Sequence, residues 1–238
     1  MRTALEDRIL LINGGVIAVN KLAGEAVEGA GRGMTDLPAL LRERFGCAGT
    51  YAPAAVHRLD VPVTGCVLFA RTPGTAAFLG SAFSRTGAAG VEKIYWAAAE
   101  LSREFFRLPP RGELRHRIRI NAGLNKSAAL DGAGSRGREA LLRYRILGLG
   151  KTCGFLEIDL VTGRRHQIRA QLAALGIHIK GDLKYGAKRG EKNGGIRLHA
   201  RSLRFPDPSS PERLLRIAAD PPRMDNLWES FAAAAAPV

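Results

Sequence analysis

Apolar residues along the chain fall into short runs whose period switches between two and roughly three and a half, and glycine-rich turns separate them. Ile9 to Ile12 and Val16 to Asn20 flank Asn13-Gly14-Gly15, which predicts two strands joined by a tight hairpin turn. Leu37, Leu40, Leu41 and Phe45 recur at helical spacing and predict a helix over 36–45. Cys66 to Ala70 predicts a buried strand, 75–84 a helix, and Lys93 to Ala99, Leu141 to Leu147 and Phe155 to Val161 further strands. In the last of these, Phe155, Glu157 and Asp159 alternate with Leu156, Ile158 and Leu160. Beyond Thr162-Gly163, the spacing of Ile168, Leu172 and Leu175 predicts a helix over 164–175 that ends at Gly176. Ser127 to Gly137, rich in Ala, Gly and Ser, reads as a mobile loop, and 228–238, with five consecutive alanines, as a frayed tail. Strands interleaved irregularly with helices predict an α+β fold with a mixed, mainly antiparallel β-sheet flanked by helices and loops. A chain of 238 residues suffices for one such domain, 1–238.

Charge changes this picture. Against 22 Asp and Glu stand 36 Lys and Arg, a net +14 that attracts polyanions. The excess is local: Gly163 to Arg204 carries eleven Lys and Arg against Asp182 and Glu191, and Arg103 to Lys126 carries seven against Glu104 and Glu113. Solvated charge, acidic proteins or an anionic membrane surface would each suit one basic run alone, whereas two runs flanking a candidate site favour phosphate contacts. Cys47, Cys66 and Cys153 lack paired spacing for zinc or redox chemistry and read as thiols in a reducing compartment. The N-terminal apolar run is too short and interrupted for a signal peptide or a membrane span, so a soluble cytoplasmic protein is expected.

The candidate chemistry begins at His57-Arg58-Leu59-Asp60, where one carboxylate sits between an arginine and a turn leading into the apolar run 66–70. Asp followed by Pro62 and Thr64-Gly65 is also an ordinary loop signature. Three further blocks weigh against that reading: Lys93-Ile94-Tyr95, then Gly163-Arg164-Arg165-His166-Gln167-Ile168-Arg169, then Gly181-Asp182-Leu183-Lys184-Tyr185-Gly186 followed by Leu198-His199-Ala200. In this order the blocks resemble the RluA-like family of RNA pseudouridine synthases, over about residues 9–208, with Val16 to Gly24 similar to the family's first strand and turn. No S4-like RNA-binding domain is evident ahead of them.

The resemblance implies one pseudouridine synthase catalytic domain that isomerises a stem-loop uridine of ribosomal or transfer RNA, as a monomer. It implies Asp60 as catalytic carboxylate, Tyr95 as the aromatic against the uracil and Arg169 as an ion-pair partner of Asp60. Arg58 would enter the gap left by a flipped base, and His57, Lys93, Arg164 and Arg165 would contact RNA. From the residues alone, Tyr95 beside Trp96 equally suits core packing, Arg58 a structural ion pair, Arg164 and Arg165 an exposed face, and His57 a backbone anchor. Asp182, Tyr185 and Gly186 read as a structural turn. An isomerisation exchanges no atoms with solvent, so neither metal nor organic cofactor is expected.

Departures from the family pattern, Leu22, Val63-Thr64, His178 and Asp207, avoid the three proposed catalytic positions. Two other classes compete: a non-catalytic RNA-binding or ribosome-assembly factor, for which Asp60 is dispensable, and an Asp/His phosphodiesterase. The second needs a further carboxylate or metal cluster near Asp60, and the spacing offers none.

Overall fold

The computed structural model describes residues 4–31, 34–47, 51–85, 90–132 and 136–235. In chain order its strands are β1 (Ile9–Asn13), β2 (Val16–Lys21), β3 (Glu25–Ala26), β4 (Thr35–Asp36), β5 (Ala54–Ala55), β6 (Thr64–Ala70), β7 (Glu92–Glu100), β8 (Arg111–Asn121), β9 (Lys126–Leu130), β10 (Arg138–Leu149), β11 (Cys153–Asp159), β12 (Leu198–Asp207) and β13 (Ser210–Ala218). The helices are α1 (Leu37–Phe45), α2 (Pro73–Ser84), α3 (Gln167–Ala174) and α4 (Asn226–Ala235). The pairs β1–β2, β2–β6, β5–β6, β12–β13, β7–β11, β10–β11, β8–β10 and β8–β9 are antiparallel and β3–β4 is parallel, which gives the α+β class expected. The chain divides into two compact units, 1–93 with 200–222, and 94–199 with 223–238.

In the first unit the order β1-β2-β6-β12-β13 forms a sheet, with β5 on β6. The β1–β2 hairpin pairs Asn13 with Val16 across Gly14-Gly15, and Gly14 takes the positive φ of 53° that such a turn requires. Val16, Ala18, Cys66, Leu68, Leu203, Phe205 and Ile217 project from successive strands into a core closed by Leu79 and Ala82 of α2. Two caps set the helix starts: Thr72 Oγ1 accepts the Thr75 amide at 3.1 Å with Pro73 following, and Asp36 does the same less closely for α1. Gly65 has φ +117°, and a Cβ there would lie 2.3 Å from the Ala200 carbonyl oxygen, so β6 can approach β12 only with glycine at that point.

In the second unit the order is β7-β11-β10-β8-β9. Register places Tyr95 opposite Ile158, Ile158 opposite Tyr144, and Leu142 opposite Leu114, all on one face. That face carries α3, whose Ala170 packs with Ile118, Ala140 and Tyr185. The opposite face presents Trp96, which with Phe155 packs on Trp228 and Phe231 of α4.

Three expectations are corrected here. Of the expected loop over 127–137, residues 127–130 belong instead to β9, paired with β8, and 133–135 lie outside the described residues; the small residues of β9 are held because Tyr185 Oη accepts the Ser127 amide at 2.8 Å and donates to the Ser127 carbonyl at 3.1 Å. The tail is helical to Ala235, anchored by two buried aromatics in an alanine-rich segment of high helix propensity, while 236–238 lie outside the described residues. Finally, α3 starts at Gln167 instead of 164, because His166 adopts φ +53° and breaks the helical path. Among the described residues no helix is long and apolar enough to cross a membrane.

Candidate active site

His57, Arg58, Asp60 and Lys93 belong to the first unit, and Tyr95, Arg164, Arg165 and Arg169 to the second. Asp60 opens a turn closed by the Val63 amide donating to its carbonyl at 3.0 Å. This turn is tied to the end of β2 from below. The fully buried ammonium of Lys21 donates to the carbonyls of Val61 at 3.0 Å, Val63 at 2.7 Å and Leu22 at 2.8 Å, and the Gly24 amide adds a bond to Val61 at 2.9 Å. Glu25 completes the arrangement, accepting from Arg8 at 2.9 Å and from the Leu22 amide at 2.8 Å. Asp60 itself is half-buried.

Next to it, Arg58 is 63% exposed and stands 3.5 Å from an equally solvated Glu28. An exposed pair of this kind contributes little, so a structural role does not account for Arg58. His57 instead turns inward: its Nε2 accepts the Leu68 amide at 3.1 Å and its ring stacks on Phe83 at 4.5 Å. Of the two roles open to it, the geometry supports backbone anchoring. Burial, with the Lys93 charge adding to it, pulls the imidazole from 6.5 down to about 3. The unfolded chain therefore takes up this proton near pH 6.5 and the folded chain only near 3, so the neutral ring's contribution is complete above pH 6.5 and is lost on acidification. By pH 5 the loss is expected to reach about 2 kcal/mol. Denaturant titrations at pH 7 and pH 5 should show that difference in the native chain and a smaller one in His57→Asn; equal differences would exclude His57 as the cause.

Cys66 and Cys153 are buried free thiols, and burial pushes Cys66 up to about 12, which leaves it protonated and unreactive.

In the second unit, β7 buries Tyr95 on the face that carries α3, and α3 contributes Arg169. Arg169 is held by a two-pronged ion pair, Nε and Nη2 donating to Asp182 at 2.6 and 2.7 Å, with side-chain exposures of 5% and 1%. Its guanidinium also lies 4.8 Å from the centroid of Tyr185, whose hydroxyl is 3.0 Å from His166 Nδ1. The 181–186 segment thus has a structural role, as expected, but a specific one: it fixes the rotamer of Arg169. Sequence reasoning missed Asp182 in that role, and it placed Lys21 in the family's first strand and turn without a role. A lysine ending an otherwise apolar strand was the available signal for Lys21, and it reads equally well as the strand's solvated end.

Arg164 and Arg165 occupy the loop before α3. Arg164 Nε donates to the Glu139 carbonyl at 2.9 Å, Arg165 donates to the side chain of Asn125, and Lys184 reaches the Asn125 carbonyl at 3.1 Å. These acceptors are neutral, so the positive charge around the β8–β9 turn persists. Along β8 and β10, by contrast, Arg115 and Arg143 pair with Glu113, and Arg143 also with Asp159, which offsets part of the second basic run. Among the described residues no cluster of three or more His, Cys, Asp or Glu is arranged to hold a metal.

A family model described as RNA pseudouridylate synthase matches residues 15–174. The chain is 32% identical over 202 residues to an uncharacterized RNA pseudouridine synthase of Zymomonas mobilis, covering 84% of this chain and 87% of that protein. It is also 32% identical over 187 residues to a mitochondrial RNA pseudouridine synthase of Arabidopsis thaliana, covering 72% of this chain but 39% of that longer protein. The solved structure of a human RNA pseudouridylate synthase domain-containing protein has the same fold, with a TM-score of 0.68 at 24% identity over 95% of this chain and 86% of that one.

Proposed function

Because the chain belongs to the RNA pseudouridylate synthase family, enzymes that isomerise uridine within RNA, we propose that it modifies a specific uridine of ribosomal or transfer RNA with Asp60 as the initiating carboxylate. The observation that carries this reading is the setting of Asp60: a half-buried acid on a turn clamped from beneath, inside the span the family model matches.

The reaction breaks the N1–C1′ glycosidic bond, turns the uracil and joins C5 to C1′. Asp60 begins it either by attacking C1′ or by taking the 2′ proton; both routes need an ionised, oriented carboxylate. A base within a stem must leave its stack, at a cost of a few kcal/mol. Arg58, exposed two residues before Asp60, offsets that cost by stacking in the vacated space and reaching phosphates. Tyr95 lies against the uracil and receives the C5 proton late in the reaction. Arg169 is kept in one rotamer by Asp182. Arg164 and Arg165, with Lys184, present cations to the RNA backbone around the β8–β9 turn.

Pseudouridine mapping of total RNA from cells lacking this protein, with and without the native chain restored, tests the reading. A site that disappears and returns with the chain is expected and names the substrate. A map that does not change would leave the RNA-binding factor as the better account.

A further inference from the structure

The far end of β7 carries a feature that the proposed reaction leaves without a role. Phe106 is 63% exposed in the short helical turn Phe105–Arg107 that follows the strand. A single exposed apolar residue needs no explanation, but this one is held firmly and set among cations. Phe105 beside it is buried and packs so closely on Gly154 that a Cβ there would overlap its ring. Ser102 Oγ accepts the Phe105 amide at 3.2 Å, the Ser102 carbonyl accepts the Phe106 amide at 3.3 Å, and the Phe105 carbonyl accepts the Leu108 amide at 3.1 Å. The two rings stand edge to face, 6.2 Å apart at 87°.

Arg103, one turn earlier, and Arg107 are both exposed. Glu104 between them is held below the usual carboxylate range chiefly by its own amide and the Ser102 hydroxyl, with Arg107 and Arg103 adding less, so most of the guanidinium charge stays available. The Leu101 amide donates to the Thr152 carbonyl at 3.1 Å, which brings the exposed Lys151 to this end of β7. The Lys188 amide donates to the Glu100 carboxylate at 3.1 Å, which brings the exposed Lys188 and Arg189 there and occupies the second acid of the patch.

We propose that Phe106, with Arg103 and Arg107, forms an RNA-contact surface at the end of β7 remote from Tyr95, where an unpaired base of a single-stranded segment stacks on the ring and the adjoining phosphates meet the cations. The inference rests on the chain acting on RNA, not on which group starts the reaction. Every base has a π-face, so such a contact tolerates any sequence and adds affinity for the strand flanking the modified uridine. Five residues of strand, about 17 Å, lie between Tyr95 and Glu100, so the ring does not reach a uracil held against Tyr95. A second copy of the chain could also cover the ring, but copies of net charge +14 repel one another, whereas a polyanion is drawn to this patch.

Fluorescence anisotropy tests this on the full chain with two labelled probes, a single-stranded RNA of about twelve nucleotides and a blunt RNA duplex of about the same length. Phe106→Ala is expected to weaken binding of the single strand about tenfold, the scale of one base–aromatic stack, and to leave the duplex unchanged. Phe106→Trp should keep the native affinity, whereas Phe106→Leu, apolar but without a π-face, should bind like Phe106→Ala. Replacing both arginines, Arg103→Gln with Arg107→Gln, should reduce the slope of log affinity against log salt for the single strand by about 1.4, or ~0.7 for each phosphate contact. Native single-strand affinity in Phe106→Ala or Phe106→Leu, an equal loss on both probes, or failure of Phe106→Ala to fold by circular dichroism would each overturn the inference. A dimer that Phe106→Ala abolishes in sedimentation, with RNA affinity unchanged, would assign the ring to a second copy instead. An unchanged pseudouridine map removes the catalytic reading and does not alter these affinities.

Discussion

Asp60→Asn is expected to lower the rate of pseudouridine formation by at least about a thousandfold, the scale on which an essential nucleophile or general base is lost. The substitution is nearly isosteric, and the bond that closes the turn is a backbone one, from the Val63 amide to the Asp60 carbonyl, so the local fold is retained. Lys21 keeps its three carbonyl acceptors for the same reason. An amide can still accept and donate hydrogen bonds, but it neither attacks C1′ nor takes up the 2′ proton. Stability and RNA affinity should therefore stay near native while kcat collapses. A single-turnover assay on the mapped RNA measures this directly; a variant with native rate would identify the chain as an RNA-binding factor built on an enzyme's fold.

Asp182→Ala is expected to cost about 3–5 kcal/mol of stability, because it removes the two-pronged partner of a buried guanidinium and leaves the charge behind. For a chain of this length that corresponds to a fall in Tm on the order of 10 °C. Two features make this larger than an ordinary surface loss: both side chains are almost wholly excluded from solvent, and Asp182 also heads the turn whose Tyr185 bonds to Ser127 in β9. Thermal unfolding followed by circular dichroism tests it, and a change below about 1 kcal/mol, the range of a surface pair, would show that the pair is not a structural anchor. Residual activity at a permissive temperature should also fall, since the rotamer of Arg169 is no longer fixed.

The elements legible from sequence were those whose pattern is local. Asn13-Gly14-Gly15 names its own turn, and Leu37, Leu40, Leu41 and Phe45 already describe the buried side of α1. β9 was not legible, because Lys126-Ser127-Ala128-Ala129-Leu130 has little strand preference and becomes a strand only through β8 and the hydroxyl of Tyr185, 58 positions from Ser127. The start of α3 was misplaced for a related reason: periodicity reports which residues share a face, but not that His166 would take a left-handed conformation with Tyr185 against its ring. The same division runs through the candidate site. Asp60, Tyr95 and Arg169 are proposed from ordered motifs, whereas the Arg169 partner Asp182 and the clamp at Lys21 depend on contacts 13 and about 40 residues away, which no window of sequence displays.

The route of the chain through its two units bears on how the protein emerges during synthesis. Val16, Cys66 and Leu79 are made early, but the core they line is finished by Leu203 and Phe205 of β12 and Ile217 of β13. The second unit is in the same position, since Trp96 and Phe155 are covered only when Trp228 and Phe231 of α4 arrive. Neither hydrophobic interior can close on a nascent chain that has not reached β12, β13 and α4. Until those elements have been made, apolar strands wait uncovered, a state in which association with other chains competes with folding.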